Sequence, residues 1–134
     1  MIVIDASTLA KYVLKEEGWL KVEEYLAKGV CSIDHIVKEV ANAIWKHTVI
    51  HRRVSEGTAE KLYTVLRKLV GENIVKIEEQ TKYINKAFEI ALQYKITIYD
   101  ALYLAQAQHY GELLTSDEKQ AKTAEELGIK VHIV

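Results

Sequence analysis

The chain has 134 residues, 49% of them apolar and 28% charged, which excludes a disordered or fibrous protein and leads us to expect one compact domain over residues 1–134. Lys plus Arg number 18 and Asp plus Glu 19, so no overall basic field exists and any nucleic-acid contact must come from a local patch. The single cysteine, Cys31, excludes an internal disulfide, no signal-peptide pattern opens the chain, and no apolar stretch approaches the ~20 residues of a membrane span; the expected setting is a reducing cytoplasm, with neither export nor membrane insertion.

The chain opens with Ile2-Val3-Ile4, a β-branched run without polar alternation, which suits a strand covered on both faces and ends at Asp5. A helix starts near Ser7. Val30-Cys31-Ser32-Ile33 forms the next strand. From His35 to about His51, Ile36, Val37, Val40, Ala41, Ile44 and Trp45 fall on one arc of a helix, with Asp34 placed to cap it. A second helix runs from Ser55 to Gly71 on Ala59, Leu62, Tyr63, Leu66, Leu69 and Val70. The strand Ile74-Val75-Lys76-Ile77 follows, then helical patterns over 81–94 and 98–109, the latter nearly all apolar and ending before Gly111. Leu113-Leu114-Thr115 is a weaker strand, 118–127 a last helix stopped by Gly128, and Val131-His132-Ile133-Val134 the final strand. With no proline present, these boundaries rest on glycines and changes of period. Short strands alternating with helices predict an open, mostly parallel sheet of about five strands with helices on both faces.

In such sheets ligands bind beyond the carboxyl ends of the strands, which directs attention to the acids found there. Asp5 directly follows the first strand and is the only charge in the first ten residues; it reads equally well as a helix cap. Glu39 sits at the border between the apolar arc and the polar face of its helix, where an exposed surface glutamate is the ordinary alternative. Asp100 is the only charged residue from Ile96 through Gln108, in a helix apolar enough to be largely buried, although Thr97 three residues earlier gives it part of a capping box. Asp117 follows Leu113-Leu114-Thr115-Ser116, where it too can cap a helix. Four independent caps do not account for Glu39. Four carboxylates brought to one rim of the sheet repel unless cations or protons compensate them, and an all-oxygen set selects hard cations, Mg²⁺ or Mn²⁺. Such ions activate water and neutralise charge on the leaving oxygen of a phosphodiester, which is the chemistry of nucleic-acid hydrolysis. No Cys/His spacing points to zinc.

At these residues the chain resembles PIN domains, and among them the toxin nucleases of VapC type. The stretches that carry the resemblance are Val3-Ile4-Asp5-Ala6-Ser7, Glu39-Val40-Ala41-Asn42-Ala43, Tyr99-Asp100-Ala101-Leu102-Tyr103-Leu104-Ala105 and Leu114-Thr115-Ser116-Asp117-Glu118-Lys119, in the family's order over nearly the whole chain. The resemblance implies a three-layer α/β/α sandwich, Mg²⁺- or Mn²⁺-dependent endoribonuclease activity, frequent homodimers, and a small VapB-type antitoxin that fills the active-site groove. It implies that Asp5, Glu39, Asp100 and Asp117 are the metal-binding or catalytic acids, with Ser7 and Thr115 as hydroxyl supports. Some relatives carry a further acid after the fourth; here Glu118 is adjacent and Lys119 follows, so no fifth ligand is counted.

Lys46, His47, His51, Arg52 and Arg53 form a local basic cluster suited to RNA phosphates, with favourable charge at a helix C-terminus as the alternative; Lys11 is a lesser candidate. Other chemistries fit less well. A phosphoacceptor receiver domain needs an Asp closing the third strand, where this chain has Ile77-Glu78-Glu79, and a phosphatase using Asp-x-Asp after the first strand needs an acid where Ser7 stands. The remaining rivals are a catalytically silent PIN-like module that binds RNA or protein, and a solitary RNA-processing nuclease.

Overall fold

A computed structural model describes residues 1–134. Its elements in chain order are β1 (Ile2–Ile4), α1 (Ala6–Val13), α2 (Trp19–Lys28), β2 (Val30–Ile33), α3 (Ile36–Trp45), α4 (Glu56–Gly71), β3 (Val75–Glu78), α5 (Ile84–Tyr94), α6 (Ile98–Tyr110), β4 (Glu112–Thr115), α7 (Glu118–Glu126) and β5 (Lys130–Ile133). All five strands are parallel, in the order β3-β2-β1-β4-β5, with Ile2 in register with Val30 on one side and Glu112 on the other. The mostly parallel sheet expected from the sequence is therefore wholly parallel, and the α/β sandwich is present.

Burial explains the strand sequences. In β1, β2 and β4, Val3, Ile4, Val30, Cys31, Ile33, Leu113 and Leu114 are covered on both faces, whereas β3 and β5 at the edges admit Lys76 and His132. Right-handed crossovers set the layers. The chain moves outward from β1 through β2 to β3, which puts α1 to α4 on one face, then returns to β4 and β5 with α5 to α7 on the other. Helix α6 is buried continuously from Ala101 to Ala107 because it lies over β1, β2 and β4. The direction of travel reverses between β1 and β4, and the carboxyl ends of those two strands border the crevice where doubly wound sheets bind ligands.

Several local expectations need correction. The helix from 35 to about 51 does not stay α-helical: α3 ends at Trp45 and Lys46–Ile50 forms a π-helical turn. Here the Thr48 hydroxyl donates to Ile44 O at 2.8 Å and His47 Nδ1 lies 3.1 Å from Ala43 O, side-chain bonds that compete with the regular ladder. Asp34 does not cap α3. Its Oδ2 instead accepts the Gln80 amide at 3.4 Å, and the capping position is His35, without a side-chain bond. The pattern over 81–94 resolves into a 3₁₀ turn, Gln80–Lys82, followed by α5. Helix α2 has no counterpart in the sequence pattern, since Val22 and Leu26 alone on it are fully buried, too narrow a stripe to register as periodic.

Candidate active site

The four acids line one cleft. Asp5, Glu39, Asp100 and Asp117 border a cavity of about 280 Å³ together with Ala6, Ser7, Ala10, Ala43 and Tyr103. Ala6 and Ala10 are one turn apart on α1, as Glu39 and Ala43 are on α3, so the helical walls between the carboxylates are methyl groups that leave room for a ligand. No lysine or arginine lines the cleft. A larger concavity of about 560 Å³ lies between α3 and α4, but its lining of Ala41, Ile44, Trp45, Val49, Ala59 and Tyr63 brings no functional groups from strand ends. The smaller cleft is the one that gathers the acids placed beyond strand ends.

Asp5 leaves β1 in extended conformation and caps α1, its Oδ1 accepting the Thr8 amide at 3.1 Å and the Ser7 hydroxyl at 2.7 Å. Its Oδ2 accepts the Thr115 hydroxyl. The cap and the site are thus the same side chain. Asp5 is only 4% exposed, and burial raises its pKa above the ordinary aspartate value against the lowering effect of the Thr115, Ser7 and Thr8 bonds. Thr115 also accepts the Asp117 amide at 3.0 Å, and Ser7 Oγ accepts the Ser116 amide at 3.2 Å, so the β1–α1 and β4–α7 turns are stitched together. Asp117 caps α7, with Oδ1 accepting the amides of Lys119 and Gln120.

Asp100 lies in the first turn of α6, its amide donating to the Thr97 hydroxyl at 3.3 Å. It is half-buried rather than largely buried, because the cleft opens at the N-terminal end of a helix that is covered from Ala101 onward. Burial, then the charges of Glu39 and Asp117, push its carboxyl upward. Glu39 behaves oppositely. Burial acts to raise it, but the His35 contact and the Tyr103 hydroxyl outweigh that effect and leave its pKa lowered. Tyr103, itself pushed up by burial and the Glu39 charge, remains a proton donor through the neutral range. His35 Nε2 is 2.8 Å from Glu39 Oε1 but off the ring N–H direction, so the approach is close without a well-aligned hydrogen bond.

Tyr103 and His35 were not among the residues the sequence singled out. The available signal was spacing: Tyr103 lies three residues after Asp100 and His35 four before Glu39, each on the face of its helix that carries the acid. Glu118 is exposed and outside the cleft lining. Lys46, Arg52 and Arg53 are also exposed and outside that lining, and Lys11 is engaged with the Val134 carbonyl at 2.8 Å.

The donor set fits a hard divalent cation. It consists of carboxylates and hydroxyls, and it includes an acid, Asp100, whose pKa is raised first by burial and then by its neighbours' charge. No three acidic, histidine or cysteine side chains stand close enough to chelate one ion directly. An ion such as Mg²⁺, which keeps several waters, needs only one or two carboxylates directly.

Ribonuclease VapC3 of Pyrobaculum aerophilum is 30% identical to this chain over 127 residues, covering 90% of this chain and 92% of that protein. Residues 2–126, a stretch that includes every acid of the cleft, match the PIN domain family, and the chain belongs to that family.

Proposed function

We propose that this chain is, over its whole length, one metal-dependent endoribonuclease domain, the toxin of a VapBC-type pair, acting in the cytoplasm. The observation that carries the reading is the convergence of Asp5, Glu39, Asp100 and Asp117 from four separated segments on one cleft free of basic residues. The similarity to a protein named Ribonuclease VapC3 supports RNA as the substrate. No helix is long and apolar enough to cross a membrane.

In this reading the four acids hold Mg²⁺ or Mn²⁺. When bound, the cation supplies Lewis acidity toward the phosphodiester and neutralises charge developing on the leaving oxygen. The chain's own part is placement. Ser7 and Thr115 fix the Asp5 carboxylate, Thr115 also holds the Asp117 backbone, and the capping bonds of α1 and α7 keep both acids at the strand ends. Lys46, Arg52 and Arg53 contact RNA phosphates beyond the cleft. A small VapB-type antitoxin is the protein partner, and the nuclease works as a homodimer.

The decisive experiment is cleavage of a structured RNA with Mg²⁺ or Mn²⁺, comparing wild type with Asp5→Asn and Asp100→Asn and with a chelator-treated sample. Wild-type cleavage lost in both variants and on chelation is the expected result. A wild type that binds RNA yet cleaves with neither metal makes the chain a binding module of the same fold, and equal activity in the variants removes the site assignment. A neighbouring reading frame for a short protein that co-purifies with this chain tests the toxin reading; without one, a solitary RNA-processing nuclease is favoured.

A further inference from the structure

Glu39 is hydrogen-bonded by one neighbour and packed closely by a second on a single oxygen. The Tyr103 hydroxyl donates to Oε1 at 2.8 Å, and His35 Nε2 approaches the same atom to 2.8 Å. The first contact crosses from α6, on one face of the sheet, to α3, on the other, and the second comes from the capping residue one turn earlier, just before α3. Both partners are rigidly seated. Tyr103 is 1% exposed, the His35 ring is buried, and the two rings pack with centroids 4.8 Å apart, while Tyr99 closes over His35 edge-on at 5.8 Å. A glutamate side chain is otherwise among the most freely rotating, and ordering it costs entropy at the moment a ligand binds. Here that ordering is already built in, and Oε2 accepts no protein hydrogen bond.

We propose that Tyr103 and His35 are positioning residues that fix the Glu39 carboxylate through Oε1, so that Oε2 alone is offered to the cation. The proposal rests on the metal-dependent reading of the cleft. Its consequence is that α6 serves the site twice, supplying Asp100 and, one turn on, the hydroxyl that aims an acid on another helix. Outer hydrogen bonds of this kind orient metal ligands, and their loss typically weakens metal affinity or activity by about 10- to 100-fold.

The test is titration of Mn²⁺ alone into RNA-free protein by calorimetry, for wild type, Tyr103→Phe, His35→Gln, Glu39→Gln and the double variant Tyr103→Phe/Glu39→Gln. Phenylalanine keeps the ring and its packing, so Tyr103→Phe should melt with the wild type's cooperativity while binding Mn²⁺ about tenfold more weakly. Because Tyr103 acts through Glu39, the double variant should bind no more weakly than Glu39→Gln. On a fluorescent oligoribonucleotide, Tyr103→Phe should raise the Mn²⁺ concentration needed for half-maximal cleavage, a shift that a mere loss of folded protein does not produce. His35→Gln should shift Mn²⁺ affinity in the same direction and gives an independent reading should Tyr103→Phe fold poorly. Wild-type Mn²⁺ affinity in both positioning variants, alongside weakened binding in Glu39→Gln, overturns the proposal and leaves the site reading intact, as does a fully additive loss in the double variant. Undiminished Mn²⁺ binding in Glu39→Gln overturns the site reading, and the proposal with it.

Discussion

The Thr115 hydroxyl donates to Asp5 Oδ2 while accepting the Asp117 amide at 3.0 Å, so one fully buried side chain at the end of β4 ties together two acids of the cleft. Thr115→Val has nearly the same shape but leaves the amide without its acceptor and the carboxylate oxygen without its donor. The expected cost is about 1–3 kcal/mol of stability, the range for an unsatisfied buried polar group, with reduced RNA cleavage. Thr115→Ser restores the hydroxyl and should recover most of both. Chemical denaturation and cleavage assays on the pair check this; a valine variant as stable and active as wild type removes Thr115 from the network.

Asp5 does two jobs that one substitution can separate. Asparagine caps helices about as well as aspartate, so Asp5→Asn retains an acceptor for the Thr8 amide, but its amide nitrogen replaces the oxygen that accepts the Thr115 hydroxyl, and the variant should stay folded at a cost of about 1–3 kcal/mol. Cleavage should fall by at least about 100-fold, equivalent to about 2.7 kcal/mol of transition-state stabilisation. Thermal melting and single-turnover cleavage on the same preparation decide it, and retained cleavage would show that Asp5 is a cap and nothing more.

The succession of strands along the chain and the acids beyond two of them were legible in the sequence because both follow from short-range pattern, whereas the sheet order β3-β2-β1-β4-β5 was not. Short apolar runs mark covered strands, and Asp5 and Asp117 stand one and two residues beyond the ends of two of them. Glu39 stood out only weakly, at the border of its helix's apolar arc, and depended most on the likeness to known nucleases, since its place at the cleft depends on the packing of α3 against α1, a relationship between helices that no local period reports. The Tyr103–Glu39 bond spans 64 positions along the chain and joins opposite layers, which is why it emerges only in three dimensions. The π-helical turn after Trp45 escaped notice for a different reason: the apolar arc that predicts α3 continues past the point where Thr48 and His47 turn their side chains onto the backbone.

Glu78 is an acid that the cleft does not use, and it governs stability at low pH. It ends the edge strand β3, where Oε1 accepts Tyr83, Gln106 and Tyr110 at 2.7, 3.0 and 2.9 Å, and Oε2 lies 2.6 Å from Lys82 Nζ. Burial acts to raise its pKa, but those donors prevail and bring it from 4.5 to about 2. A carboxyl depressed on folding contributes stability that is fully present above its unfolded value and is lost as pH falls through its folded value, here between 4.5 and about 2. Glu78→Gln carries no charge to lose. It should be less stable than wild type at neutral pH, and the gap should narrow across that window. Urea midpoints measured at several pH values for both proteins provide the check, and parallel curves would contradict it.

The basic segment after α3 separates electrostatic contact with RNA from simple solvation of a helix end. Lys46, Arg52 and Arg53 are exposed and make no ion pair, so each is available to a phosphate. Each phosphate neutralised on a single strand contributes about 0.7 to the slope of log affinity against log salt, so replacing all three by alanine should flatten that slope by about 2. Affinity for RNA should fall most at low salt, where counterion release is worth most. Mn²⁺ affinity should not change, because none of the three lines the acid cleft. Binding of a labelled oligoribonucleotide to the catalytically silenced Asp5→Asn background, measured from low to moderate salt, isolates this effect from cleavage. An unaltered slope would assign the cluster to the C-terminal end of α3 alone, where positive charge complements the helix dipole without any ligand.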